Sequence, residues 1–392
     1  MDSLNKINRQ LSTTQVIALG FIIAILIGAV VLSLPVSSAD GSFTPFIDSL
    51  FTSTTSVCVT GLVVVTTATH WSLFGKVVIL ILIQLGGLGI ISFTTGIMMV
   101  IGRRITLRDR MILEDALNLD TLKGLVRFLQ RIFKGTFMVE SIGAVCYSLV
   151  FIPQYGIIKG VWFSIFHSVS AFCNAGIDIL GENSLVPYVS NPWINIVTMG
   201  LIITGGIGFL VWWDITNNIK KMAQHEYTPK MAVKKLHIHS KIVIITTLCL
   251  VFGGALLIFA LEFNNPETIG NLSFFEKIQA SLFQSVVLRT AGFMTFSQAG
   301  MHGTSIIVCL FLMFIGGSSI SNSGGIKTTT FSVLFLSTRA TIKGSPHLVV
   351  FNKTIPHKTV QKALAVTVVS FTALIIATFM LHLFEGGSLL DA

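Results

Sequence analysis

Three glycines, each preceded by a similar apolar and hydroxylated segment, are the residues of this sequence best suited to chemistry. The segments LFTSTTSVCVTGL, IFHSVSAFCNAGI and LFQSVVLRTAGF lead to Gly61, Gly176 and Gly292, which are 115 and 116 residues apart. Carbonyl oxygens beside such glycines can replace the hydration shell of a monovalent cation when several copies surround one axis. Taken singly, each glycine more often marks a turn or a helix contact, but three in register favour a cation-binding ring.

The composition places these segments in a membrane. Of 392 residues, 52% are hydrophobic, only 11% are charged and 30 are Phe, which is more apolar surface than a soluble domain of this size buries. Stretches of about 20 apolar residues cross a bilayer as helices. We predict crossings over residues 16–34, 77–101, 135–152, 194–213, 242–261 and 360–383, with another over 305–315 that resumes at 331–336.

The basic residues predict an orientation. With the N-terminus in the cytoplasm, most of the 26 Lys and Arg fall on the cytoplasmic side, as is typical of membrane proteins. The net charge of +9 then reflects topology and does not indicate nucleic-acid binding. The opposite face carries more carboxylates than bases, which would concentrate cations, although ordinary solvated loops explain that face equally well.

This topology places each glycine segment on the outer side, between two crossing helices. We predict short re-entrant helices over residues 46–55, 161–171 and 274–287, each followed by an extended stretch that ends at the glycine. Non-helical backbone at membrane depth is tolerated only where protein buries it or where it lines a water-filled path. The sequence therefore predicts a pathway for ions along these stretches.

A second polar segment interrupts the third unit. Residues 316–330, GGSSISNSGGIKTTT, contain four glycines, four serines and one asparagine at predicted bilayer depth. An unwound polar segment inside a membrane is costly unless it faces water. We interpret it as an obstruction that can move, and a cytoplasmic loop is the alternative.

These motifs resemble the Trk/Ktr/HKT superfamily of potassium transporters over essentially the whole chain. The resemblance rests on VTGL, NAGI, TAGF, GGSSISNSGGIKT, IQLGGLG, IPQYG and ITGGIGF, and it is strongest to the membrane subunit of bacterial Ktr potassium uptake systems (KtrB-like). It implies an all-α integral membrane fold of helix/pore-loop/helix units in pseudo-fourfold symmetry. It also implies a transporter of the cell membrane and not an enzyme.

The resemblance assigns residues to two sites. A selectivity filter would use backbone carbonyls of Val59, Thr60, Gly61, Asn174, Ala175, Gly176, Thr290, Ala291 and Gly292. A gating loop would consist of Gly316, Gly317, Ser318, Ser319, Ser321, Asn322, Ser323, Gly324, Gly325 and Lys327. The only metal expected is K+ at the filter carbonyls, with Na+ as a second ion that could be coupled and with no organic cofactor.

The resemblance also implies partners. It predicts a homodimer in the lipid bilayer, controlled by a cytoplasmic nucleotide-binding ring subunit of the KtrA/KtrC type, and no nucleic acid.

The chain has no G-x-x-x-x-G-K-[ST] sequence for ATP, so the membrane potential or a coupled ion must supply the energy.

The unit boundaries predict an incomplete fourth unit. We divide the chain into a first unit at 1–110, a second at 111–225, a third at 226–340 that contains the gating loop 316–327, and the first helix of a fourth at 341–392. The spacing places a fourth filter glycine about 115 residues after Gly292, beyond Ala392. We therefore predict a C-terminally truncated sequence, and the alternative function is a non-conducting structural or regulatory membrane fragment.

Two charged residues in apolar surroundings admit more than one interpretation. Glu140 is either a functional intramembrane carboxylate or a partner of Lys134 or Arg131 near the cytoplasmic end. Arg289 ends the third short helix, where a cation complements the helix dipole, and structural anchoring is favoured over ion selection. An intramembrane enzyme using Glu140, His167 and Asp178 is disfavoured because these residues lie in different elements.

Overall fold

The described part of the chain is mostly helical. The computed structural model describes residues 12–89, 92–93, 95–96, 99, 111–113, 125–345 and 347–385. In chain order the helices are α1 Thr13–Ser33, α2 Phe46–Cys58, α3 Thr67–His70, α4 Leu73–Leu88, α5 Leu125–Tyr155, α6 Ile157–Phe172, α7 Pro192–Ile207, α8 Phe209–Ala223, α9 Pro229–Lys235, α10 Ile238–Glu262, α11 Phe274–Val287, α12 Gly303–Phe314, α13 Thr328–Ile342 and α14 His357–Glu385. Two 3-10 turns, Pro35–Ser37 and Val186–Tyr188, and one antiparallel hairpin, β1 Val349–Val350 with β2 Lys353–Thr354, accompany them. The predicted all-α class is confirmed.

Among the described residues, four helices are long and apolar enough to cross a membrane: α1, α5, α10 and α14. Helices α7 and α8 would form a fifth crossing, but the chain bends by 101° between them. The predicted crossing over 194–213 is therefore not one straight helix, because Gly208 has a φ of 91° and separates α7 from α8. In the predicted crossing over 77–101, α4 ends at Leu88, before Gly89 with a φ of 77°. Helical residues follow at 92–93, 95–96 and 99, and the other residues of this crossing after Gly89 lie outside the described part of the chain.

Local capping signals explain where several helices begin. At α1 the hydroxyl of Ser12 accepts from the backbone N–H of Gln15, and the Gln15 side chain accepts from the N–H of Ser12. Ser273 and Glu276 form the same reciprocal pair at the start of α11. Such pairs satisfy backbone donors that the first helical turn leaves free.

Each predicted short helix is present and packs beside the long helix that precedes it: α2 on α1, α6 on α5, and α11 on α10. A serine of each short helix donates to a backbone carbonyl of the long helix at 2.6–2.7 Å, in the pairs Ser53–Ile25, Ser168–Glu140 and Ser285–Val251. A glycine of the long helix lies against that serine and against a leucine of the helix that follows the glycine segment, which is α4, α7 or α12. The three sets are Gly28–Ser53–Leu82, Gly143–Ser168–Leu201 and Gly254–Ser285–Leu312. Close approach of this kind needs a residue without a side chain, since a Cβ would overlap the serine.

Candidate cation pathway

The three glycine segments leave their short helices with the same backbone conformation. Positive φ angles occur two residues before each glycine, and again at the glycine: 55° and 80° at Val59 and Gly61, 58° and 65° at Asn174 and Gly176, and 63° and 76° at Thr290 and Gly292. The prediction of a simply extended stretch is therefore wrong at its first residue. Non-glycine residues in the left-handed region are costly and persist where surrounding structure enforces them.

The three glycines converge on one point. A Cβ added to Gly61 would lie 2.8 Å from the carbonyl oxygen of Ala175 and 2.9 Å from Cα of Gly292. A Cβ added to Gly292 would lie 3.0 Å from Cα of Gly61 and 3.1 Å from Cα of Gly176. The three backbones are therefore in close contact at this level.

Hydroxyl groups of α2 and α6 form hydrogen bonds at the first two of the three glycine strands, which are the non-helical segments 59–61, 174–176 and 290–292. The hydroxyl of Thr55 lies 2.6 Å from that of Thr60 and accepts from the N–H of Leu62 at 3.0 Å. At the same offset from its glycine, the hydroxyl of Ser170 donates to the carbonyl of Ile177 at 2.6 Å. Thr55 and Ser170 were not predicted as site residues, although a hydroxyl lies six residues before the glycine in both segments.

The predicted gating loop fills the break between α7 and α8. A helix end leaves its last carbonyl groups without intrahelical donors. At the end of α7 the carbonyl of Gly205 accepts from the N–H of Asn322 at 3.2 Å, and that of Gly206 accepts from the N–H of Ser318 at 2.8 Å. On the other side of the break, the N–H of Phe209 donates to the carbonyl of Ile320 at 3.0 Å. The loop thus caps both helix ends that the bend exposes.

The same loop contacts two of the three glycine strands. The side-chain amide of Asn174 donates to the hydroxyl of Ser323 at 2.6 Å, and the N–H of Gly324 donates to the hydroxyl of Thr290 at 2.9 Å. The side-chain amide of Asn322 donates to the carbonyl of Phe172, the last residue of α6, at 2.9 Å. The loop therefore lies against the second and third strands, beside the point where the glycines meet.

Lys327 closes the loop on itself. Its ammonium group donates to the carbonyl of Ser323 at 2.6 Å, and the N–H of Gly316 donates to the carbonyl of Ile326 at 3.0 Å. These bonds bring the two ends of the loop together between Phe314, where α12 ends, and the start of α13.

The two isolated charged residues are buried beside the strands. The carboxylate of Glu140 accepts from the side-chain amide of Gln84 at 3.0 Å and 3.3 Å, so it pairs with neither Lys134 nor Arg131. Cys173 lies next to this pair, with its sulfur 3.5 Å from Oε1 of Gln84. Arg289 is 3% exposed, and among the described residues no acceptor is bonded to its Nε or Nη2. Within the same residues, no group of three His, Cys, Asp or Glu side chains could hold a metal.

The sequence matches a known family along nearly its whole length. The profile described as "TrkH: Cation transport protein" matches residues 6–390. The chain belongs to the TrkH family. Members of this family are transport proteins and not enzymes, and the four crossing helices agree with a protein embedded in a membrane.

Relatives in the TrkH family give the same result. The chain is 39% identical to the potassium/sodium uptake protein NtpJ of Enterococcus hirae over 97% of this chain and 81% of that protein. It is 39% identical to Ktr system potassium uptake protein B of Bacillus subtilis over 96% of this chain and 81% of that protein. The corresponding protein of Vibrio alginolyticus is 36% identical over 95% and 79% of the two chains.

A solved structure of the TrkH family shares the fold. The crystal structure of the potassium transporter TrkH from Vibrio parahaemolyticus superposes with a TM-score of 0.65 over 93% of this chain and 71% of that chain, at 20% identity. The predicted integral membrane fold is confirmed at this level.

Proposed function

We propose that this chain is the membrane-embedded, potassium-conducting subunit of a Ktr-type uptake system. The convergence of Gly61, Gly176 and Gly292 carries the proposal. Three segments far apart in sequence adopt the same left-handed conformation and meet at one point. Carbonyl oxygens of residues 59–61, 174–176 and 290–292 would coordinate K+ in place of water.

The gate would be the loop of residues 316–327. Its hydrogen bonds to the α7–α8 break and to two glycine strands support this role, because the loop cannot leave without exposing backbone groups at both places. A net contribution of about 1 kcal/mol for each hydrogen bond makes the closed position stable yet reversible. In this proposal 1–110, 111–225 and 226–340 act as successive units around the pathway, and 341–392 supplies the first helix of an incomplete fourth unit.

The names of the relatives support a regulatory partner. Two relatives are named Ktr system potassium uptake protein B, which supports a membrane component that works with a regulatory subunit. We place a nucleotide-binding ring on the cytoplasmic side of a homodimer whose N-termini face the cytoplasm. We also propose sodium as a coupled or second transported ion, since the name of the Enterococcus hirae relative includes it.

Energy would come from the membrane potential. A potential of 100 mV supplies about 2.3 kcal/mol for each monovalent cation moved across the bilayer. That energy supports accumulation by tens-fold without ATP hydrolysis.

Rubidium uptake tests the proposal. A bacterial strain that lacks its own potassium uptake systems would express the chain with a cytoplasmic Ktr-type partner, and uptake of radioactive Rb+ would be measured against excess K+ or Na+. We expect uptake that K+ suppresses more strongly than Na+ does. Uptake no greater than that of the empty vector, in cells whose membranes contain the protein, would contradict the proposal.

A further inference from the structure

A groove lined by cations and aromatic rings lies beside the α7–α8 bend. Its volume is about 340 Å³, and its walls include Phe128, Arg131, Trp212, Trp213, Asn217 and Lys220. The first two come from the start of α5 and the others from α8. None of these residues belongs to the glycine strands or to the gating loop, so the groove is separate from the proposed pathway.

The groove offers positive charge that no described carboxylate neutralises. The guanidinium of Arg131 lies 3.5 Å from the ring centroid of Trp213, and Lys220 is exposed on the same groove. Both ion pairs found among the described residues involve histidines elsewhere. Stacking on an indole fixes a guanidinium while leaving its N–H groups available to an anion.

The position of the groove along α5 indicates which class of anion it binds. Along α5, Arg131 and Lys134 come before an apolar stretch in which Phe137 and Met138 are exposed. Tryptophan together with Arg or Lys at the end of a crossing helix is typical of the headgroup level of a bilayer. Basic pockets between helices at the cytoplasmic level bind anionic lipid headgroups.

We propose that this groove binds the phosphate headgroup of an anionic phospholipid. The phosphate would accept hydrogen bonds from Arg131 and Lys220, and Asn217 would add a neutral donor. The acyl chains would then lie along the exposed apolar face of α5.

Residues that line the groove contact the loop of residues 316–327. Phe209 lines it and donates its backbone N–H to the carbonyl of Ile320 in the loop, and Ile320 packs into the same small apolar cluster as Phe128. Trp212 donates its indole N–H to the carbonyl of Thr204 at 2.9 Å, across the α7–α8 break. We therefore expect the bound lipid to change ion flux, and this part alone rests on the proposed function.

Lipid retention tests the site without any transport measurement. The purified chain would be placed in nanodiscs that contain phosphatidylglycerol and phosphatidylcholine, extracted into detergent, and analysed by native mass spectrometry for bound lipid. The test variant is Arg131→Gln with Lys220→Gln. The matched control is Arg127→Gln with Lys221→Gln, which removes the same charges from the same two helices outside the groove. Arg131→Lys with Lys220→Arg retains both charges and checks that the groove tolerates substitution.

We expect the test variant to lose phosphatidylglycerol retention about 30-fold, since each cation near a membrane surface contributes about fivefold. The control and the charge-retaining variant should keep it. Equal retention by the test and control variants would overturn the site. Displacement of the lipid by millimolar inorganic phosphate would show a site for a free anion and would overturn the lipid assignment. Loss of retention in the test variant with unchanged ion flux would leave the site standing and contradict only its link to the gate.

Discussion

Substitution of Gly61 by alanine separates backbone strain from obstruction of the pathway. Gly61 has a φ of 80°, and Gly41, in the loop before α2, has a φ of 73°. An alanine in the left-handed region costs about 1–2 kcal/mol at either position. A Cβ at Gly41 would meet nothing within 4 Å, whereas one at Gly61 would lie 2.8 Å from the carbonyl oxygen of Ala175. The pair of variants therefore differs only in the collision with a neighbouring strand.

The distances at Gly61 give the displacement that the new methyl group requires. Ordinary van der Waals contact begins at 3.4 Å, so the strand that carries Ala175 must move by about 0.6 Å to accommodate the new methyl group. Overpacking of this kind costs about 1–3 kcal/mol, and it moves an oxygen that is proposed to coordinate the ion. Since every 1.4 kcal/mol is tenfold, we expect discrimination between Rb+ and Na+ to fall about fivefold or more.

The assay is uptake of Rb+ and of Na+ in a strain without its own potassium uptake systems, normalised to the protein found in the membrane. We expect Gly61→Ala to lower Rb+ uptake and its ratio to Na+ uptake. Gly41→Ala should leave both at the level of the parent chain. If the two variants behave alike, strain explains the effect and Gly61 has no part in ion selection.

Three further predictions concern the loop, the helix contacts and the buried carboxylate. Deletion of residues 318–324 should raise Rb+ flux and weaken control by the cytoplasmic partner, and Asn322→Ala should do so by about fivefold, since it costs about 1 kcal/mol of closure; unchanged flux in well-expressed variants would refute the gate. Gly254→Ala should lower thermal stability in detergent by about 1–3 kcal/mol because its Cβ would lie 2.5 Å from a serine hydroxyl, whereas Gly253→Ala on the same helix meets nothing within 4 Å; equal melting temperatures would contradict this packing. Glu140→Leu should destabilise the fold by leaving a buried amide unpaired while Glu140→Gln keeps an acceptor, so equal loss in both would show that the hydrogen bond is unimportant.

The crossing helices and the short helices were largely predictable from sequence, because both depend on local patterns. An apolar stretch of 20 residues has few alternatives in a membrane, and the predicted crossing over 242–261 agrees with α10, Ile238–Glu262. The third short helix was predicted at its observed bounds, Phe274–Val287, where a capping pair fixes its start. The roles of the three glycine strands and of the loop stay predictions until transport is measured.

The helix breaks at Gly89 and Gly208 were not predictable in the same way. Both glycines lie in runs whose small residues suit close helix packing, and hydropathy does not distinguish a packed glycine from one with a positive φ. What decides at Gly208 is a contact from elsewhere in the chain, since a Cβ there would lie 2.6 Å from the carbonyl oxygen of Ser319. The polar loop and the break between α7 and α8 stabilise each other, because the backbone groups of each pair with those of the other.

That mutual dependence would allow a polar loop at membrane depth to move, as the proposed gate requires. Unpaired backbone groups in a bilayer are costly, and a bend of 101° between α7 and α8 exposes several of them. The loop pairs with those groups through Ser318, Ile320 and Asn322, and the indole of Trp212 pairs with another. If the loop withdraws, water entering the opened pathway can pair with the same groups, so the net cost is a fraction of the bonds broken. A gate built on such exchange needs only a modest force from a partner subunit.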